Sequence, residues 1–401
     1  MLRPLIALLL LVTPMHAALD RGVWFWGNTT TPAGPSPYGS SVVVGDAAAE
    51  DETISFFTSH AVKRVYGSYQ NRPVSEPTVI ADWNLKLNDA GVQSQLLLSG
   101  YEVNDPVWVA DLLDKVQDRF IDFNDSYAAT PGKQFDALHL DLEPQGLSDW
   151  DISSATRRAL LDDLADTYTA IRTLLDDNGY ASIPIYADIP FFWDKLPADG
   201  GSVAWADAAD RDTWFAAIGA SLTGVSVMTF SKDNVPALED ATLYERTGSF
   251  PGFARIAIQP KGWPGEMWPS ILHFYAVLNE LELTHAPDYA TDIENYAFWR
   301  YSIATIGPVI GSAVEIDIEL SDDPGVTPIG DLDVGPVIIF PGEAGYTYSL
   351  KSTASLEPDD WRSETSHQVD AEGGFQWFRI PVPPRGPRSF YRLEVELTPA
   401  E

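Results

Sequence analysis

Asp141 and Glu143 stand two residues apart in the segment Phe135-Asp136-Ala137-Leu138-His139-Leu140-Asp141-Leu142-Glu143-Pro144. Read as a strand, the segment alternates. Leu138, Leu140 and Leu142 share one face, and His139, Asp141 and Glu143 the other. With the leucine face buried against helices, three titratable groups enter one interior or cleft. That is a costly use of a central strand unless the groups have a chemical role. Pro144 stops the strand and leaves Glu143 at its C-terminal tip, where barrel enzymes keep their reactive groups. A glutamate with an aspartate two residues away on the same face is expected to hold its proton more tightly, which suits a proton donor near neutral pH. Such an acid can protonate a leaving oxygen while a neighbouring carboxylate supports the positive charge that develops.

The elements that must position this strand alternate along the chain. Strands are expected at Gly22–Trp26, Arg64–Ser68, Val92–Ser99, Phe135–Glu143, Ile183–Ile189, Gly224–Phe230, Ala254–Gln259 and Tyr296–Ile303. Helical patterns lie between them at Asp46–His60, Pro77–Ala90, Pro106–Phe123, Ser153–Asn178, Arg211–Ser221 and Trp268–Leu281, while 234–250 reads as loop. The helix after the acidic strand starts at a serine N-cap and stops at Asn178-Gly179, residues suited to a left-handed turn. This order and size predict an α/β fold, a (β/α)8 TIM barrel over residues 19–320. The stretch 321–335 is rich in Asp, Gly and Pro and reads as a linker. From 336 to 401 the pattern is strands only, at Val337–Phe340, Tyr346–Lys351, Gln376–Pro381 and Tyr391–Leu397, which predicts a small C-terminal all-β, sandwich-like domain.

Residues 1–18 read as a secretory signal peptide, with Arg3 ahead of the apolar run Leu5–Val12 and Ala17-Ala18 at a cleavage site. That run is too short to span a membrane, which takes roughly 20 residues. Export is therefore expected, to the periplasm or the exterior, without membrane insertion. The chain has no cysteine, which suits a bacterial secreted protein that relies on its core. A net charge of −33 excludes nucleic acid as a partner, because there is no basic patch to release counterions. Of the 13 tryptophans, 16 tyrosines and 18 phenylalanines most are expected in the core, with about one tryptophan in four lining a cleft, where flat rings are what sugars stack on. A carbohydrate is the expected partner, with the protein as a monomer and no cofactor or metal.

The acidic strand resembles the D-x-x-D-x-D-x-E signature of the family 18 glycoside hydrolases, which include chitinases and endo-β-N-acetylglucosaminidases. Asp136, Asp141 and Glu143 match three of its acidic positions. His139 replaces the second Asp, Ala137 the usual Gly, and Pro144 departs from the usual continuation. Val227-Met228-Thr229-Phe230 is similar to the family's M-x-Y element, with Phe230 in place of the tyrosine. The resemblance implies Glu143 as general acid and Asp141 as the group that orients the substrate's N-acetyl. Loss of the tyrosine hydroxyl at Phe230 puts such substrate assistance in question. Without it another carboxylate must serve, and Glu102, Asp188 and Glu266 are candidates at strand ends.

Substrate contacts are expected from His139, Asp136, Tyr186, Asp188, Met228, Phe230, Gln259, Trp263 and Trp299. His139 reads first as a hydrogen-bonded interior residue. Trp24, Trp26 or Trp299 is expected to floor the site, and Trp193 and Trp268 are further candidates for the cleft. Two other readings remain open at this point. One is a carbohydrate-binding barrel without catalysis, suggested by His139, Ala137 and Phe230. The other is a metal-dependent hydrolase using His139, Asp141 and Glu143.

Overall fold

The structure is a computed structural model. It describes residues 20–27, 38–199, 203–247 and 250–260 in full, together with short strands and single positions elsewhere. The chain divides into two units, 1–301 and 302–401.

The first unit is a closed barrel of eight parallel strands in sequential order. They are β1 Arg21–Phe25, β2 Val62–Gly67, β3 Gln93–Gly100, β4 Ala137–Leu142, β5 Ile185–Pro190, β6 Gly224–Met228, β7 Phe253–Ile258 and β8 Thr291–Ile293. β1 closes the barrel by pairing with both β2 and β8. The helices are α1 Ala47–Ser59, α2 Pro77–Asp89, α3 Pro106–Val116, α4 Ser154–Asp177, α5 Ala208–Gly219 and α6 Val235–Ala241, with further helical positions after β7 and β8. This is the (β/α)8 TIM barrel expected from the alternation.

Local chemistry explains the helix bounds. Asp46, Asp105, Ser153, Asp207 and Asn234 each accept a backbone N–H of the first turn, at the starts of α1, α3, α4, α5 and α6. α4 stops as expected. Gly179 takes a φ of +87°, and Tyr180 N–H returns to Leu175 O at 2.8 Å. The 234–250 stretch is not a loop throughout. Its Asn234 cap and Pro236 start α6, and a further turn of helix follows at Leu243–Arg246. Its few apolar residues gave too weak a periodicity to show this.

The eighth strand corrects the sequence expectation more sharply. It is the three-residue Thr291–Ile293, and residues 296 and 299 of the expected strand are helical. Tyr296 and Trp299 pack on Phe56 of α1 at ring separations of 5.3 and 5.0 Å. An aromatic-rich run reads as a strand by composition, but here its rings pack against another helix outside the barrel.

In β4, Leu138, Leu140 and Leu142 have no exposed surface, while His139 is buried on the alternate face. The leucines fill the space beneath the helices and the odd positions fill the barrel.

The second unit contains two three-stranded antiparallel sheets. One pairs Ile318–Glu319, β9 Val337–Gly342 and β12 Gln376–Pro381. The other pairs β11 Arg362–Gln368, β10 Tyr346–Thr353 and β13 Phe390–Leu397. Its described elements are all strands, and β11, polar at most positions, is one the sequence pattern does not show. The signal segment 1–18 and the linker 321–335 lie outside the described residues.

Candidate active site

Glu143 follows the last residue of β4, at the C-terminal mouth of the barrel. Its backbone N–H donates to Gly100 O at 2.8 Å, which continues the β3–β4 ladder one residue beyond the strand. Pro144 then opens a single 3₁₀ turn, so the strand cannot continue. The side chain is half-buried, and burial raises its pKa above the usual glutamate value. Gln145 Nε2 donates to Glu143 Oε1 at 2.9 Å and partly opposes that rise. Asp141, one rung lower on the same face, is also half-buried. Its strand position pairs with Ser99 of β3.

Beneath these carboxylates the barrel is packed with polar groups in contact with each other. His139 Nε2 lies 2.7 Å from Asp188 Oδ1, and His139 Nδ1 lies 3.2 Å from Gln95 Oε1. Asp188 Oδ2 accepts from Trp24 Nε1 at 2.9 Å. The imidazole stacks on the Tyr66 ring at 3.9 Å, and the Trp24 ring stands edge-on at 5.8 Å. Burial lowers the pKa of His139 to about 3 and pushes that of Asp188 well up. A second group lies alongside. Tyr66 OH donates to Asp292 Oδ1 at 2.7 Å and accepts from Arg255 Nη1 at 2.6 Å. Ser226 Oγ donates to Asp292 Oδ2 at 2.5 Å, and Arg64 pairs with Asp20.

Trp24, Tyr66, Leu97 and Ala257 form a buried cluster against which the partly buried Trp26 and Phe230 pack. Trp26 and Phe230 follow the C-terminal ends of β1 and β6, so this cluster forms an aromatic floor on the same side of the barrel as Glu143. Met228, half-buried at the end of β6, and Gln259, just after β7, belong to the same rim.

Other expected positions lie elsewhere. His139 and Asp188 have no exposed surface and lie beneath the cleft as each other's partners. Asp136 precedes β4 at the opposite mouth, and its Oδ2 accepts from Ser94 N at 2.8 Å. Seven strand residues of about 3.3 Å rise separate it from Glu143, roughly 23 Å. Tyr186 pairs in register with His139, below the level of Glu143, under the Arg255 guanidinium, 5.0 Å from its ring centre. Trp299 is fully buried outside the barrel. Trp193 is buried in a cluster with Trp150, Trp205 and Trp214. Trp263, Glu266 and Trp268 lie outside the described residues. Glu102 is half-buried at the rim just beyond β3. Among the described residues, no group of three His, Cys, Asp or Glu side chains is arranged to hold a metal ion.

Tyr101 went unnoticed in the sequence. It follows β3, remains 46% exposed, and lies against the Gly146 turn that follows Glu143. Its backbone neighbour Gly100 has no room for a side chain, because a Cβ there would meet the Trp108 ring. The signal was an aromatic just past a glycine-ended strand.

No protein-family model matches the sequence, and no curated protein matches it. Solved structures similar to it include the glycoside hydrolase domain of PgaB (BpsB) from Bordetella bronchiseptica, at 12% identity and a TM-score of 0.42, covering 70% of this chain and 94% of that one. A GH18 chitinase from Cycas revoluta is similar at 14% identity and a TM-score of 0.37, covering 61% and 69%. The spore cortex-lytic enzyme SleL of Bacillus megaterium QM B1551 is similar at 12% and 0.37, covering 67% of this chain and 59% of that one. The chain thus spans less than two thirds of the SleL chain. At these identities and scores the likenesses are remote.

Proposed function

We propose that the protein is a secreted glycoside hydrolase of the family 18-like type, acting as a monomer on a polysaccharide or glycan. Glu143 is the general acid and Asp141 its electrostatic partner. The observation that carries this reading is the position of Glu143, half-buried at the C-terminal tip of β4 with its pKa raised. A carboxyl whose hold on its proton is strengthened by burial is suited to protonating a leaving glycosidic oxygen. Asp141, on the same strand face, is placed to support the positive charge that develops on the sugar, and Phe230 and Trp26 supply apolar surface for the ring.

The test is a screen of chitin oligomers and other α- and β-glycans, with Glu143→Gln as the control. General acid catalysis of this kind contributes on the order of 10²–10⁴-fold, so the variant should lose at least that much turnover while retaining its fold. Undiminished cleavage by Glu143→Gln would refute the assignment.

One observation favours a second reading. Phe230 offers no hydroxyl to a substrate carbonyl, and His139 is occupied by Asp188. In a barrel that only binds carbohydrate, no glycan would be cleaved, and Glu143→Gln would leave sugar affinity little changed.

A further inference from the structure

We propose that Asp188 is a positioning residue held as the neutral acid. It donates to His139 Nε2, accepts from Trp24 Nε1, and so locks the aromatic floor of the cleft to the strand that carries Asp141 and Glu143. This deepens the proposed site and depends on the hydrolase reading only for its activity measurement.

The hydrogen bonds carry the argument. Gln95 is placed with Oε1 3.2 Å from His139 Nδ1 and with its own Nε2 unpartnered among the described residues, and in that orientation Nδ1 carries the ring proton. Placing a second proton on Nε2 would create an imidazolium against a carboxylate, both with no exposed surface. A buried carboxylate needs several donors to be stable. Among the described residues Asp188 has one other hydrogen-bond partner, the indole N–H of Trp24, and no arginine or lysine is paired with it. The arrangement that leaves nothing charged puts the proton on Asp188 Oδ1, donated to an unprotonated Nε2 at 2.7 Å.

The surrounding charges agree. Arg64 and Arg255 act against a positive His139, while Asp292 acts in its favour. Asp292 and Glu143 act against a negative Asp188. Tyr66 stacks on the imidazole, Tyr186 lies 6.4 Å from it, and Asp141 is the next inward residue on the same strand. Burial, with Asp188 and Asp141 adding to it, raises the pKa of Tyr168 of α4.

The consequence is mechanical. One carboxyl group ties β1 to β4 through β5, because Trp24, His139 and Asp188 sit on those three strands. Trp24 in turn supports Trp26 and Phe230, which form the floor. Asp188 touches no substrate and does not need to ionise.

The experiment uses the full chain labelled with ¹⁵N-histidine, with the His139 resonances assigned by their loss in His139→Gln. From pH 5 to 9 His139 should show a protonated Nδ1, an unprotonated Nε2 and no titration. Asp188→Asn replaces the acid with an amide that can still donate to Nε2 and accept from Trp24. It should keep the indole N–H shift of Trp24, and its kcat and pH profile should stay within about threefold of wild type. Asp188→Ala should lose that shift and at least tenfold in kcat. An imidazolium signature, an Nε2-protonated neutral ring, or a folded Asp188→Asn variant that loses tenfold or more in kcat would overturn the proposal. If Asp188→Ala does not fold, the labelling and the Asn variant still decide. If no glycan is cleaved by the wild type, the hydrolase reading fails, while the histidine and tryptophan signals still confirm or refute the role of Asp188.

Discussion

Gln145 Nε2 donates a 2.9 Å hydrogen bond to Oε1 of Glu143, from two residues further along the same turn. Among the described residues it is the one side-chain hydrogen bond to the candidate acid, and it favours the ionised form while burial favours the protonated one.

Removing that donor should therefore strengthen the acid's hold on its proton. In Gln145→Ala the Glu143 pKa should rise further, and the basic limb of kcat/KM against pH should move to higher pH. A pH–rate profile of the variant checks this. A basic limb that does not move would mean that Glu143 does not set it.

Tyr101 is exposed at the rim beside Glu143, where an aromatic face can meet a sugar without contributing to the core. Tyr101→Ala should weaken substrate binding about threefold to tenfold, in line with what a stacked ring contributes, and leave the thermal midpoint nearly unchanged. Steady-state kinetics with a melting curve separates the two effects.

Tyr66 OH is shared by Arg255 and Asp292 deep in the barrel, with a longer 3.4 Å contact from Arg64 Nε. Tyr66→Phe removes the donor to a fully buried carboxylate, and Ser226 Oγ remains the shortest contact to it. The expected cost is about 2–4 kcal/mol, measurable by denaturant unfolding. The imidazole stacking on His139 should survive, because the ring is kept.

Among the described residues the buried Glu245 carboxyl finds no partner beyond its own backbone N–H, and burial, aided by Asp194 and opposed by that N–H, Arg211 and Arg246, raises its pKa from 4.5 to about 8. The folded chain thus keeps a proton that the unfolded chain releases, between about pH 4.5 and about pH 8. Over that window stability falls as pH rises. Glu245→Met should raise the melting temperature at pH 9 more than at pH 5. An equal gain at both pH values would refute the shift.

Much of the fold was legible because strands and helices carry their own periods. Leu138, Leu140 and Leu142 announced a buried face, and Asn178-Gly179 announced a helix end, without any knowledge of neighbours. The eighth strand was misread at Tyr296 and Trp299, since a run of aromatics is equally at home in a strand or against another helix. α6 was missed because a seven-residue helix with a good cap has too few turns to show a period.

For the site, the sequence alone determined that Asp141 and Glu143 share a strand face and that Pro144 leaves Glu143 at the tip. Alternation of side chains and the missing N–H of proline are local properties of the chain. Only the tertiary structure decided that His139 and Asp188 are paired beneath the cleft, that Trp24 rather than Trp299 lies under its floor, that Asp136 lies toward the other mouth, and that Tyr186 pairs in register with His139. The Trp24–Asp188 hydrogen bond among them joins residues 164 positions apart. These relationships depend on the register and closure of the barrel, which no local pattern specifies.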